Sequence, residues 1–194
     1  MRLLPVPPML AGIVSTALSV CDRTEYSVPG SCPSCGGILS GYDTRKRRFA
    51  VLYEDDRETT IDVIIHRSYC RSCGRIAVPD DPFYPGTRMG SPVVDLCRSF
   101  AATMPCSRVS TRLAQMGVIV DRWTVRSYCR APLPQPPVVP VFGMQVPVSI
   151  ISLSSFAGMP DKAGRINGEE ILAACRFPAQ WRPAMPAVPA PPDR

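Results

Sequence analysis

Two Cys-x-x-Cys-Gly units constrain this chain more than any other feature. They are Cys32-Pro33-Ser34-Cys35-Gly36 and Cys70-Arg71-Ser72-Cys73-Gly74, with 34 residues between Cys35 and Cys70. Cysteines three apart on a tight turn present two thiolates to one ion, and four soft ligands satisfy a tetrahedral Zn²⁺. Glycine after each second cysteine permits φ > 0, which aims backbone amides at the sulfurs. Cys32, Cys35, Cys70 and Cys73 are therefore the expected ligands and zinc the expected cofactor. A shell closed by four thiolates makes the site structural, not catalytic. Two disulfides or a thioredoxin-like redox pair are the alternatives; the duplication, and the lack of a βαβ pattern beside either pair, favour metal.

Between the two units, Phe49–Tyr53 and Thr59–His66 read as strands, joined by the polar turn Glu54-Asp55-Asp56-Arg57-Glu58. Two strands clamped at their ends by metal make a zinc ribbon, a small antiparallel sheet. So small a sheet buries little apolar area, and the roughly 10–16 kcal/mol of metal binding is expected to do most of the stabilising. His66, the single histidine, reads as an ordinary strand residue, with a role as alternative ligand the lesser reading.

Proline bears on domain organisation. The 23 prolines gather in the first ten positions, around 79–92 and from 132 onward. They predict small ordered units joined by extended segments and argue against one large core. The expected divisions are an apolar N-terminal segment (1–27), the ribbon (28–78), a linker (79–90), a helical module (91–130), a Pro-rich spacer (131–140), a strand-helix tail (141–178) and a disordered Pro/Ala-rich end (179–194). Met9 to Val20 is uncharged but broken by proline upstream and too short to span a bilayer. It reads as an element packing on the ribbon, with a signal peptide the alternative. Cys21, Cys97, Cys106, Cys129 and Cys175 are scattered and odd in number, as expected of buried thiols in a reducing, cytoplasmic compartment.

Helical signals fill 91–130. Ser91-Pro92 reads as an N-cap followed by proline, and Val93, Leu96, Cys97, Phe100 and Met104 recur at helical spacing. A second helix starts near Ser107, carries Val109, Leu113 and Met116, and ends at Gly117. Asp121 caps a third, carrying Trp123, Val125 and Tyr128. This is a helix-turn-helix layout. Arg122, Arg126 and Arg130 share one face of the third helix, with Thr124 and Ser127 nearby. Guanidinium groups there can grip phosphate or guanine edges in a major groove. A solvated arginine face on a structural helix is the plainer reading. Arg108 and Arg112 add charge on the second helix, and Arg45, Lys46, Arg47 and Arg48 form a second candidate phosphate contact. The net charge of +6 suits a polyanionic partner without requiring one.

The order Cys32-x-x-Cys35-Gly36, basic hairpin, Tyr69-Cys70-Arg71-Ser72-Cys73-Gly74-Arg75, Pro82-Phe83-Tyr84-Pro85-Gly86 and Trp123-Thr124-Val125-Arg126-Ser127-Tyr128 resembles the N-terminal region of prokaryotic insertion-sequence transposases. The likeness spans roughly residues 30–130, and the Thr-Val-Arg-x-Tyr run resembles the recognition helix of their homeodomain-like module. It implies binding of double-stranded DNA. In such transposases an acidic-triad nuclease domain follows; here the tail holds only Asp161, Glu169, Glu170 and Asp193. No Ser-His-Asp set and no Gly-x-x-x-x-Gly-Lys loop is present, so the expectation is a non-enzymatic α+β protein. Two rival readings remain: a protein-docking module using the ribbon and the apolar 141–156 segment, and RNA stacking on Phe49 and Tyr53.

Overall fold

The structure, a computed structural model, describes residues 5–157 and 166–175. The stretch expected to be disordered, 179–194, lies outside them. The described chain is mixed α+β. At its centre is a long hairpin, β1 (Leu39–Glu54) and β2 (Arg57–Cys70), each strand extending well past the run predicted for it. The turn is Asp55-Asp56 alone, at φ 49° and 59°. Two left-handed residues match the right-handed twist of the strands, so a tight turn replaces the predicted five-residue one. The ladder runs from Glu54↔Arg57 to Leu39↔Cys70, with irregularities at Gly41/Asp43 and Arg48/Ala50. Glu25–Tyr26 adds to β2 in parallel and Ile76–Ala77 antiparallel, so the sheet is mixed and not purely antiparallel.

Phe49, Ala50, Val51 and Leu52 are consecutive and all buried. Side chains alternate across a strand, so four in a row mean cover on both faces of the sheet at its turn end. Part of that cover is the segment expected to be a linker. Phe83, Tyr84 and Met89 are core residues, and Phe83 meets Phe49 edge to face with ring centroids 6.0 Å apart. The Gly90 amide donates to the Phe49 carbonyl at 2.8 Å. A Cβ on Gly90 would lie 2.3 Å from the Phe49 ring, which explains glycine there.

Three helices follow in mutual contact: α1 (Ser91–Ala101), α2 (Cys106–Ala114) and α3 (Arg122–Arg130). The periodicity is as predicted, with Val93, Leu96, Cys97, Phe100, Val109, Leu113, Val125 and Tyr128 buried. The N-cap of α1 is Gly90, one residue earlier than expected. Gly117, at φ 74°, ends the turn after α2. The segment between α2 and α3 then lies on the free edge of β1: Tyr53 donates to Gly117 (2.8 Å), Ile119 donates to Val51 (2.9 Å), and Leu52 bridges Val118.

The spacer and tail differ from expectation. Val138–Val141 and Met144–Pro147 form a second hairpin, and Val148–Phe156 is a helix, α4, not a strand. A short apolar run is ambiguous between buried strand and buried helix. Here Pro147 sits at the N-cap, while Ile150 and Leu153 face the core. The N-terminal segment is also a helix, Pro8–Ser19, whose Leu10, Val14, Ala17 and Leu18 are buried and which packs chiefly on α4. A last short helix, Gly168–Ala174, begins in a capping box of Asn167 and Glu170. Buried residues from all these parts form one cluster, where separate small units were expected. Five of the prolines stand at helix starts, where they do not break the chain: Pro7, Pro105 and Pro147 are N-caps, and Pro8 and Pro92 occupy first turns. No described helix is long and apolar enough to cross a membrane.

Candidate functional site

At the open end of the hairpin the two cysteine turns fold alike. Gly36 donates to the Cys32 carbonyl (2.8 Å) and Gly74 to Cys70 (3.0 Å). Cys32 donates to Gly37 (2.9 Å) and Cys70 to Arg75 (2.8 Å). Gly36 and Gly74 take φ of 71° and 70°, the left-handed step that closes each turn. All four sulfurs of Cys32, Cys35, Cys70 and Cys73 lie within 4.8 Å of one another. Cys32 and Cys73 are 3.8 Å apart, and Cys35 and Cys70 are 3.5 Å apart. A tetrahedron with metal–sulfur bonds of about 2.3 Å has edges of about 3.8 Å, so the cluster fits a tetrahedral ion. The backbone supports thiolates: the Ser34 amide lies 3.4 Å from the Cys32 sulfur and lowers that thiol, and the Cys73 amide chiefly brings Cys70 down to about 6. The Gly37 amide favours the Cys35 thiolate, yet contact with the Cys70 and Cys73 thiols pushes Cys35 upward. Four sulfurs this close cannot all ionise without a cation among them. His66 lies outside the cluster, between Thr44 and Glu25, each 3.1 Å away.

The third helix of the triplet is fixed at both ends. The Asp121 carboxylate accepts the amides of Trp123 and Thr124, both at 2.9 Å, and the Thr124 hydroxyl and amide hold its pKa below the usual range. At the other end buried Arg98 of α1 donates to the carbonyls of Tyr128 (3.0 Å), Ala131 (3.1 Å) and Leu133 (2.6 Å). The Tyr128 hydroxyl accepts the amides of Arg88 and Met89. Turned outward are Arg122, Arg126, Ser127 and Arg130, all exposed. Successive arginines step about 6 Å along the axis. Among the described residues none of the three meets a carboxylate at ion-pair distance. Thr124 is half-buried, its hydroxyl on Asp121.

The remaining basic residues divide. Arg108 is exposed, but Arg112 is 5% exposed with a bond to Gln115, so it lies inside the module and not along an outer surface. In β1, Arg47 pairs with Asp81, stacks 3.7 Å over the Phe83 ring and donates to Thr87, which makes it a buttress of the 79–90 segment. Arg45 pairs with Asp43. Lys46 and Arg48 are exposed on the opposite face, across the ladder from Ile64 and Asp62.

No protein-family model, curated protein or solved structure matches this chain.

Three features escaped the sequence reading. Arg98 sits mid-helix with no local signal that it holds another helix's end. Asp95 is buried in α1, accepting the hydroxyls of Tyr84 (2.8 Å) and Ser149 (2.9 Å), partners distant in sequence. Trp123, to which the spacing assigned no role of its own, is 64% exposed beside Arg122. Of the two candidate stacking residues for RNA, Phe49 is wholly buried, which removes that contact, while Tyr53 is exposed.

Proposed function

We propose that the chain is a non-enzymatic, zinc-stabilised protein that binds double-stranded DNA, with α3 lying in the major groove. One observation carries this reading. Arg122, Arg126 and Arg130 stand exposed, and among the described residues none meets a carboxylate, on a helix whose opposite face and both ends are fixed. A solvated salt-bridge face would carry acids among its arginines; a groove-reading face needs the guanidinium groups free. The α1–α2–α3 order supports a helix-turn-helix reading, and the resemblance over residues 30–130 points the same way. Ser127 and Arg108 add contacts beside the arginines, while Lys46 and Arg48 supply a sequence-blind, salt-dependent term. Zinc, held by Cys32, Cys35, Cys70 and Cys73, stabilises the open end of the hairpin and does no chemistry. Selection from a random duplex library with zinc-loaded protein tests the reading. A recovered motif that the Arg122→Ala, Arg126→Ala, Arg130→Ala triple variant fails to enrich is the expected result.

A second reading, protein docking at the ribbon, is favoured by Ile38 (76% exposed), Val78 (55%) and Ile76 (43%) beside the cysteine turns. The 141–156 segment lends it no support, since that segment packs against the N-terminal helix and α1. A partner lost on Ile38→Asp, with duplex selection unchanged, would favour this reading.

A further inference from the structure

On α3, neither packing nor capping explains Trp123. The other large apolar side chains of α3, Val125 and Tyr128, are buried, whereas this indole stands 64% exposed on the first turn. Its own amide is pinned by Asp121, so the ring is presented from a fixed backbone. The Arg122 guanidinium lies 5.2 Å from the ring centroid. With Arg126, Ser127, Arg130 and Ala131 the ring lines a shallow open depression of about 660 Å³.

Resting on the DNA-binding reading of α3, we propose that this depression receives an unpaired, unstacked DNA base, which Trp123 stacks upon while Arg122, Arg126 and Arg130 hold the flanking phosphates. An intact duplex hides the flat faces of its bases and offers an indole only their edges. An unpaired base offers a π-face of any sequence, and aromatic stacking on it is strong and sequence-tolerant. The charge selects the occupant. Arg122 lies beside the ring and Arg126 and Arg130 line the depression with it, none of the three meeting a carboxylate among the described residues. The carboxylate of Asp121 is engaged by two amides and a hydroxyl. Such a rim suits a base between phosphates better than an apolar protein side chain. The ligand class is therefore duplex DNA interrupted by unpaired bases.

The chain has two tryptophans, so Trp181→Phe leaves Trp123 as the only indole reporter. Its emission and the affinity are measured at fixed salt with a blunt duplex and with the same duplex carrying a three-base bubble. The expected result is quenched emission and at least about fivefold tighter binding on the bubble. Trp123→Ala should bind both DNAs equally, with blunt-duplex affinity within about twofold of the parent, and Trp123→Phe should keep part of the preference. Unchanged emission on both DNAs, or equal losses on both in Trp123→Ala, overturns the stacking role while leaving duplex binding standing. Quenching by the bubble with no affinity for the blunt duplex supports stacking and overturns the paired-duplex reading. Binding to neither DNA overturns both.

Discussion

At its turn end the β1–β2 hairpin buries Phe49, Ala50, Val51 and Leu52 from one strand and Ile61, Val63 and Ile65 from the other. At its open end the same strands expose Tyr42 and Tyr69 and finish at four cysteines. Burial of apolar area, near 25 cal/mol per Å², holds the first end. The second has no such area to bury, and thiolate–metal bonds are the interaction available to hold it. The segment leading into α3 is hydrogen-bonded to Val51 and Tyr53, at the buried end. The hydrophobic core, and not the cysteine cluster, therefore braces the basic helix.

Removing the metal gives the largest expected effect and the sharpest test of that contrast. Chelation, or Cys35→Ser, should forfeit the roughly 10–16 kcal/mol of ion binding and abolish hydrogen-exchange protection over residues 32–44 and 66–77. Residues 49–53, 61–65 and 122–130 should stay protected; loss of protection throughout would erase the difference between the two ends. The mirror-image change is Phe49→Ala. It opens a cavity against Phe83 and Gly90, and denaturant unfolding should record about 3–5 kcal/mol of destabilisation of the whole chain. A loss below about 1 kcal/mol would mean that the turn end is not the anchor.

How far each region was legible in the sequence follows the same divide. The cysteine turns were readable because ligand chemistry imposes a local spacing, and the α3 cap because Asp121 acts within its own first turn. Pairings across the chain leave no such mark: Arg47 with Asp81, Arg98 with the end of α3, Asp95 with Ser149. Pro7, Pro8, Pro92, Pro105 and Pro147 gave no warning that they start helices, because a residue that cannot continue a helix also reads as a break. The strand reading failed from Val148 onward because, when an apolar segment is largely buried, the period that separates strand from helix disappears. The cysteine positions foretold the sulfur cluster; the arginine spacing foretold an exposed face but not the tryptophan beside it.

Asp95 tests the buried body in a third way. Burial raises its carboxyl to about 6, against the lowering hydrogen bonds from Tyr84 and Ser149. The folded state therefore holds this proton more tightly than the unfolded state. Its contribution is least favourable above pH 6 and improves as pH falls toward 4. Across that window the stability difference between Asp95→Asn and the parent should change by about 1–3 kcal/mol, read from urea unfolding at each pH. A pH-independent difference would place the carboxylate in solvent. Smaller still is Asp121→Ala, which should cost about 0.5–2 kcal/mol and loosen the first turn of α3 without altering zinc stoichiometry, as measured by unfolding and metal analysis.

The most direct measurement is the salt dependence of duplex affinity for the zinc-loaded parent and for the Arg122→Ala, Arg126→Ala, Arg130→Ala variant. With all three arginines on phosphates, the slope of log affinity against log salt should fall in magnitude by about 2.7 in the variant, with affinity reduced at every salt concentration. Identical slopes and affinities would contradict α3 as the DNA-binding element.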